Sequence, residues 1–260
     1  MQVARKSSYT INGGTKNGRN CNGLPWRFSL KKRMHSHSGH SFDLFSFIAV
    51  VAIVVIGFIV SAIAASKRRE GLLELAARLN LNFDPEQDES LPERFAFFKQ
   101  FSEGHDRYAS NVISGNYQGN EILAFDYHYA TGSGKSRQDY HLSFFILVMP
   151  GIWFPAMTIR PEGFFDRVAE AFGAADIKFE SVEFSSAFCV RSSDKKFAFD
   201  VCNPKMMEFL LSNRGLSIEI ENGVMALFFN RKIAVQQFEP DLQCLAQIRA
   251  LMPDYLFTPA

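Results

Sequence analysis

The chain has 260 residues, 47% of them hydrophobic, with 28 Lys/Arg against 27 Asp/Glu and a formal net charge of +1 at pH 7. The charge is unevenly spread: residues 1–43 carry eight Lys/Arg and one carboxylate, whereas from Ser66 onward there are 20 Lys/Arg and 26 Asp/Glu. An acidic main portion argues against nucleic acid as a partner, and Cys21, Cys189, Cys202 and Cys244, with no C-x-x-C pair among them, form neither a zinc spacing nor a disulfide framework.

Residues 1–40 make a basic tail. Its first 33 residues are rich in Gly, Asn, Ser, Lys and Arg and show no helical or strand period, a composition that cannot bury enough apolar surface to fold. Met34 is an alternative start of translation, which would leave only MHSHSGHSFD ahead of the next segment. Within it, His35, His37 and His40 form an H-x-H-x-x-H tract whose imidazoles could share a transition-metal ion. Nothing in the sequence holds them rigid, so a solvated tail is the competing reading.

Leu44–Ala65 follows, 22 residues without a charge. As a helix it reaches roughly 33 Å, enough to cross a bilayer core. It ends on Lys67, Arg68 and Arg69, cations suited to the headgroup layer. A cleavable signal peptide is the rival, since Lys31, Lys32 and Arg33 precede the run and Ala62-Ile63-Ala64 has a small-x-small pattern. The run exceeds the usual h-region of about 7–15 residues, and cations directly after the cleavage position suit a stop-transfer signal better. The lipid bilayer is therefore the expected partner of residues 44–65.

Residues 67–260 then read as one soluble α+β domain, with a sub-boundary near 150–156. Leu72, Leu75, Ala76 and Leu79 repeat at helical spacing in 67–79, and Leu91, Phe95, Phe98 and Phe101 form a second helical stripe, from which Phe97 departs. Between 109 and 150 the period becomes two. Asn111–Gln118, Glu121–Ala130 and Asp139–Met149 predict an antiparallel meander turning at Gly119-Asn120 and through Thr131–Arg137. Bringing the apolar faces together sets Tyr127 opposite Leu142, Phe125 opposite Phe144, Asp126 opposite Ser143 and His128 opposite His141. Beyond lie a strand at Met157–Arg160, a helix from Pro161-Glu162 to Phe172 stopped at Gly173, and strands at Phe179–Phe184 and Ala187–Arg191, with Phe197–Val201 ambiguous. A helix at Lys205–Ser212, a hairpin of Leu216–Glu221 and Val224–Asn230 across Asn222-Gly223, and a helix at Glu239–Leu251 complete the chain. The expected fold class is α+β: one N-terminal transmembrane helix, then antiparallel meander and hairpins packed with several helices.

In this order the chain shows a span, then KRREGLLELAARL, LPERFAFFKQFSEG, SGNYQGNEILAFDY, FESVEFSSAFCVRSSDKKFAFDVCNPKMMEFLL and a terminal LMPDYL. Over Lys67–Leu256 it resembles an uncharacterised bacterial family of single-span, membrane-anchored proteins of unknown function. The resemblance implies a bacterial membrane protein and carries no catalytic residues onto this chain. The basic tail before Met34 departs from the family's pattern.

Chemistry-bearing residues are sparse. Gly132-Ser-Gly-Lys-Ser136 evokes a phosphate loop, but G-x-x-x-x-G-K-[ST] needs glycine at 129, where Tyr129 stands, and the following residues read as a strand rather than a helix. No nucleotide is expected. His128 and His141, with Asp126 nearby, are the candidate catalytic pair, since a cross-strand pair of imidazoles can move protons or hold a metal. The competing reading is two histidines on a solvated or half-covered face, and a third ligand is missing. His105-Asp106 is a further loop pair able to orient an imidazole. No cofactor is implied. Two functions from different classes remain: a non-enzymatic module that binds a protein partner or small ligand at the inner membrane, and a membrane-tethered metal-dependent hydrolase. An exported envelope assembly factor is a third. Positive charge flanking the span is even for the full chain and one-sided for a start at Met34, which places the domain in the cytoplasm.

Overall fold

A computed structural model describes residues 44–163 and 176–258. The first element, α1 (Leu44–Leu79), is one uninterrupted helix of 36 residues. Span and amphipathic segment are thus continuous, because Ser66–Glu70 contains nothing that breaks a helix. By internal contacts the chain divides after Val50, so the opening turns of α1 stand as one unit and Val51 onward as another. The apolar part of α1 is long enough to cross a membrane, and none of its most apolar window is buried against protein. The helix ends where Asn80 takes φ 56°: the Leu81 amide donates to Ala76 O and the Asn80 amide to Ala77 O, a Schellman closure.

The remaining elements are β1 (Asn82–Asp84), α2 (Ser90–Arg94), α3 (Lys99–Ser102), β2 (His105–Tyr117), β3 (Asn120–Thr131), β4 (Gln138–Val148) and β5 (Met157–Pro161). After them come α4 (Val182–Ala187), β6 (Phe188–Ser192), α5 (Lys195–Val201), α6 (Pro204–Ser212), β7 (Ser217–Glu221), β8 (Val224–Phe229) and α7 (Val235–Leu251). The eight strands among the described residues join one sheet in the order β1-β2-β3-β4-β8-β7-β5-β6, with every pairing antiparallel. The fold is α+β, as expected. Strands on either side of residues 150–156 share this sheet, since β4 pairs β8.

The period-two pattern decides which side chains meet. On one face Ile122, Ala124, Phe145, Leu147, Met225 and Leu227 pack under α1, α6 and α7 with Leu72, Leu75, Met206, Leu210, Phe238 and Leu242. On the other, Phe125, Tyr127, Leu142, Phe144 and Phe228 pack with Leu91, Phe95, Phe98 and Phe101. Phe101 lies 4.5 Å from Phe144 and 4.9 Å from Tyr127, centroid to centroid, so it plugs this second core. Each such ring contributes about 1.5–3 kcal/mol by leaving water. The β3–β4 register is the expected one at every named pair, and Tyr127 and Leu142 are buried.

Several local expectations are corrected. The phenylalanine stripe is not one helix: α2 and α3 are joined by a turn in which Phe98 N donates to Phe95 O and Phe101 N to Phe98 O. Three-residue turns keep Phe95, Phe98 and Phe101 on one line, which satisfies the same burial. Phe97 is half-buried, outside that line. Residues 179–184 form no strand; Ser181 caps α4 by accepting from the Phe184 amide, and Phe184 packs edge-on to Phe179 and stacks on Phe188. The ambiguous 197–201 stretch is helical in α5, capped by Asp194. The first hairpin turns on Gln118 and Gly119 (φ 51° and 82°), one residue earlier than expected, whereas Asn222-Gly223 turns β7 into β8 as expected. The closing helix starts at Val235 and accommodates Pro240 on an exposed face. Pro161 ends β5, and the helix expected to run to Phe172 falls, like Gly173, outside the described residues. The tail with His35, His37 and His40 lies outside them too.

Candidate functional site

Along β3, Ile122, Ala124, Asp126 and His128 alternate onto the face covered by α1. The first two belong to the core. Asp126 has 0% of its surface exposed, although it carries a carboxylate. A buried charge persists only when paired and fully hydrogen-bonded. Here the pair comes from α1: Arg68 donates Nε to Asp126 Oδ2 and Nη2 to Oδ1, both at 2.7 Å. Its third donor, Nη1, reaches Ile233 O at 2.7 Å, and the guanidinium lies 5.4 Å from the Phe238 ring centre.

Two strands complete the carboxylate. In β2 the pairing slips between Ser110 and Ile113, and Asn111 takes φ 54°. That bulge aims its amide inward, where Nδ2 donates to Asp126 Oδ2 at 3.0 Å. In β4, Ser143 sits opposite Asp126 in register, donates to Oδ1 at 3.2 Å and accepts from the Ile233 amide at 3.1 Å. Lys232 Nζ stands 4.0 Å from Oδ2. Four hydrogen bonds thus reach two oxygens, which fills their acceptor capacity. The same joint brings α1 against α7: a Cβ at Gly71 would stand 3.3 Å from Val235 Cγ1, and Arg78 pairs with Glu239 at 2.7 Å.

The histidine pair lies beside this joint, on the same face. His128 and His141 are cross-strand neighbours with ring centres 4.9 Å apart. They differ in environment. His128 is buried, stacked on Tyr108, with Nδ1 3.0 Å from Asp106 O and Nε2 3.0 Å from Asp139 Oδ1. His141 is exposed, and partial burial, then the Lys232 and His128 charges, hold its pKa below the ordinary histidine value. Arg137 closes the ring by binding both Asp106 and Asp139; it lowers the pKa of each carboxylate, helped by His105 at Asp106 and by His128 at Asp139. His105 itself reaches Gly132 O at 2.8 Å. The polar side of the β3–β4 hairpin is therefore covered at Asp126 and His128 and open at His141. Among the described residues no group of three His, Cys, Asp or Glu side chains is placed to hold a metal ion. Both ring nitrogens of His128 already have protein partners, so proton transfer or metal binding there would have to displace Asp106 or Asp139.

Gly132–Ser136 closes its hairpin on a single 3-10 turn, with Gly132 at φ 68° and its Cβ direction blocked by Ser136 O at 2.5 Å. The chain then enters β4 at Gln138, so no helix N-terminus is offered to a phosphate.

Sequence reasoning placed Asp126 but missed Arg68, Asn111 and Lys232. One signal was available: in the alternation Ile122-x-Ala124-x-Asp126 a carboxylate follows two core residues on their own face, which demands a buried cation.

No protein-family model matches the chain, and no curated protein matches it. Among solved structures, the crystal structure of the mycobacterial trehalose monomycolate transport factor A is similar, at TM-score 0.53 and 16% sequence identity, over 75% of this chain and 97% of that one. At that identity the likeness is one of fold.

Proposed function

We propose that this chain is a single-pass, non-enzymatic membrane-anchored module whose α+β domain binds a protein partner or small ligand at the bacterial inner membrane, with residues 67–260 in the cytoplasm. The observation that carries the reading is the Arg68–Asp126 joint, three residues beyond the apolar run. A flexible tether would need no buried ion pair; this one fixes the sheet to the last turns of the membrane helix, so that the domain presents a set face to whatever lies in or beside the bilayer. The likeness to a transport factor is in keeping with a binding role. Affinity purification of the full chain from membranes in mild detergent should recover a stoichiometric partner, and recovery should fall when Arg68→Ala loosens the joint. A purified chain that instead retains a stoichiometric transition metal after dialysis would favour the metal-dependent hydrolase.

A second reading is an envelope assembly factor with the domain outside the membrane, since the positive charge flanking the span is even for the full chain. Reporter fusions after Ala260 separate the two: cytoplasmic fluorescence without alkaline phosphatase activity supports the cytoplasmic reading, and strong phosphatase activity reverses it.

A further inference from the structure

The direction in which α1 leaves the domain identifies the end that faces the membrane. Arg68 sits level with Asp126, and at the other end of this segment β1 begins at Asn82, opposite Ser114, itself opposite Leu123. From Arg68 to its C-terminus, α1 therefore runs obliquely, against the direction of β3 and toward the β1 edge of the sheet. Going backward from Arg68 toward the apolar run leads the same way as going forward along β3 from Asp126 to Thr131. Those five strand residues extend roughly 16 Å. Ala65, the end of the apolar run, is only about 4.5 Å of helix from Arg68. The tip of the β3–β4 hairpin therefore reaches at least as far as the level at which the helix enters lipid.

That tip is Gly132-Ser-Gly-Lys-Ser136, without an apolar side chain and with Lys135 exposed. It cannot insert into hydrocarbon, but it suits a headgroup layer. The same end receives Arg231 and Lys232, both exposed, because β8 ends at Phe229 opposite Ser143 and the chain then crosses to Arg68 through Ile233. Lys67 and Arg69 add two exposed cations from α1 itself. Several carboxylates at this end are engaged: Asp126 by Arg68, Asp106 and Asp139 by Arg137, and Glu183 by Arg214. Among the described residues, Glu70, Glu103 and Glu162 are further acidic groups of these segments. Basic side chains from three separate segments thus gather at one end of a domain whose overall balance is acidic.

We infer that the hairpin tip with Lys135, together with Arg231 and Lys232, docks on anionic phospholipid headgroups of the membrane that α1 crosses. This rests on the anchored reading above and adds a second contact to it: the joint holds the domain to the helix, and the tip holds it to the lipid surface. A cation at an anionic surface strengthens such a contact by about fivefold, within a Debye length of roughly 8 Å at physiological salt.

The test uses the full chain in nanodiscs, of phosphatidylcholine alone or of equal parts phosphatidylcholine and phosphatidylglycerol. A fluorescent unnatural residue replaces Ser133 at the tip or, as a control, Asn222 at the opposite end of the sheet, and quenching by spin-labelled headgroups is read. Expected is quenching at position 133 that rises several-fold with phosphatidylglycerol, declines with added salt, and returns to the neutral-lipid level in K135E/R231E/K232E, while position 222 stays unquenched. The single Lys135→Gln, on an exposed loop, should lower it partially and guards against a misfolded triple variant. Equal quenching in both lipids, or quenching that survives in a folded triple variant, overturns the docking while leaving the anchor intact. Failure of the chain to co-elute with discs of either composition overturns the anchor, and the docking with it.

Discussion

Two buried arginine–carboxylate pairs lie on opposite faces of the sheet and do different work. Arg160 and Glu219 stand on neighbouring strands β5 and β7, with side-chain exposures of 9% and 5%, and Gln100 of α3 donates to the same Glu219 oxygen at 2.8 Å. Arg160 also lies 5.4 Å from the Phe228 ring centre. That pair ties together parts of the domain. Arg68 and Asp126, at 17% and 1%, instead tie the membrane helix to the domain, and a spare cation, Lys232, waits 4.0 Å from the carboxylate. Removing Glu219 takes this carboxylate from a guanidinium that stays buried; removing Arg68 leaves a buried carboxylate that Lys232 can approach. The difference separates a pair between neighbouring strands from one between α1 and the sheet.

The largest effect is expected at the pair whose two side chains are both deeply buried. Glu219→Ala should destabilise the domain by about 3–5 kcal/mol, because the Arg160 guanidinium stays buried without its carboxylate. Urea unfolding of the full chain in detergent, followed by circular dichroism, measures it. A cost below that of Arg68→Ala would invert the comparison.

Arg68→Ala comes next, at about 1–3 kcal/mol, since Asp126 keeps the Asn111 and Ser143 hydrogen bonds. Its signature lies in posture: spin-label distances between α1 and the sheet should broaden, whereas Glu219→Ala in its folded population should leave them sharp.

Lys232→Met sharpens the point. Alone it should cost under about 0.5 kcal/mol, as expected of a half-exposed cation. In an Arg68→Ala background it should cost about 1 kcal/mol more, a coupling read by a double-mutant cycle. Simple additivity would show that Lys232 does not stand in for Arg68.

The smallest effect is a pH dependence. His141 has a lowered pKa in the folded chain, so the unfolded chain takes up its proton first as pH falls. Its contribution is present above the ordinary histidine value and is lost as pH drops through that value toward the lower folded one. His141→Gln should flatten this limb of the stability curve, and Lys232→Met should make it shallower by removing a cation that disfavours the imidazolium. A steeper limb in either variant would contradict the assigned cause.

Much of the fold was legible because it is written in local pattern. Alternation in Glu121–Ala130 and Asp139–Met149 admits one register that buries both apolar faces, since a slip of one residue would turn Tyr127 and Phe144 outward. Asn222-Gly223 supplies two residues that tolerate positive φ at the place a tight hairpin needs them. Where a pattern could be satisfied in two ways, reading it failed. Phe179, Phe184 and Phe188 bury as well around a capped helix as along a strand, and Ser181 decided between them. The phenylalanine stripe fitted one helix or two short ones, because either buries Phe95, Phe98 and Phe101 against Phe125 and Phe144.

The sequence by itself determined the membrane helix, the α+β class and the place of Asp126, His128 and His141 on one face. Uninterrupted apolar length and a period of two are properties of neighbours along the chain, and they act whatever the rest of the molecule does. Only the tertiary structure decided which groups Asp126 is paired with. Arg68 is 58 residues from its carboxylate and 165 from the Ile233 carbonyl, and Ser143 accepts from an amide 90 residues away. No periodicity reports such partners, because what brings them together is the crossing of α1 and the Asn230–Ile233 segment over a sheet whose order, β4 beside β8, is itself a long-range choice.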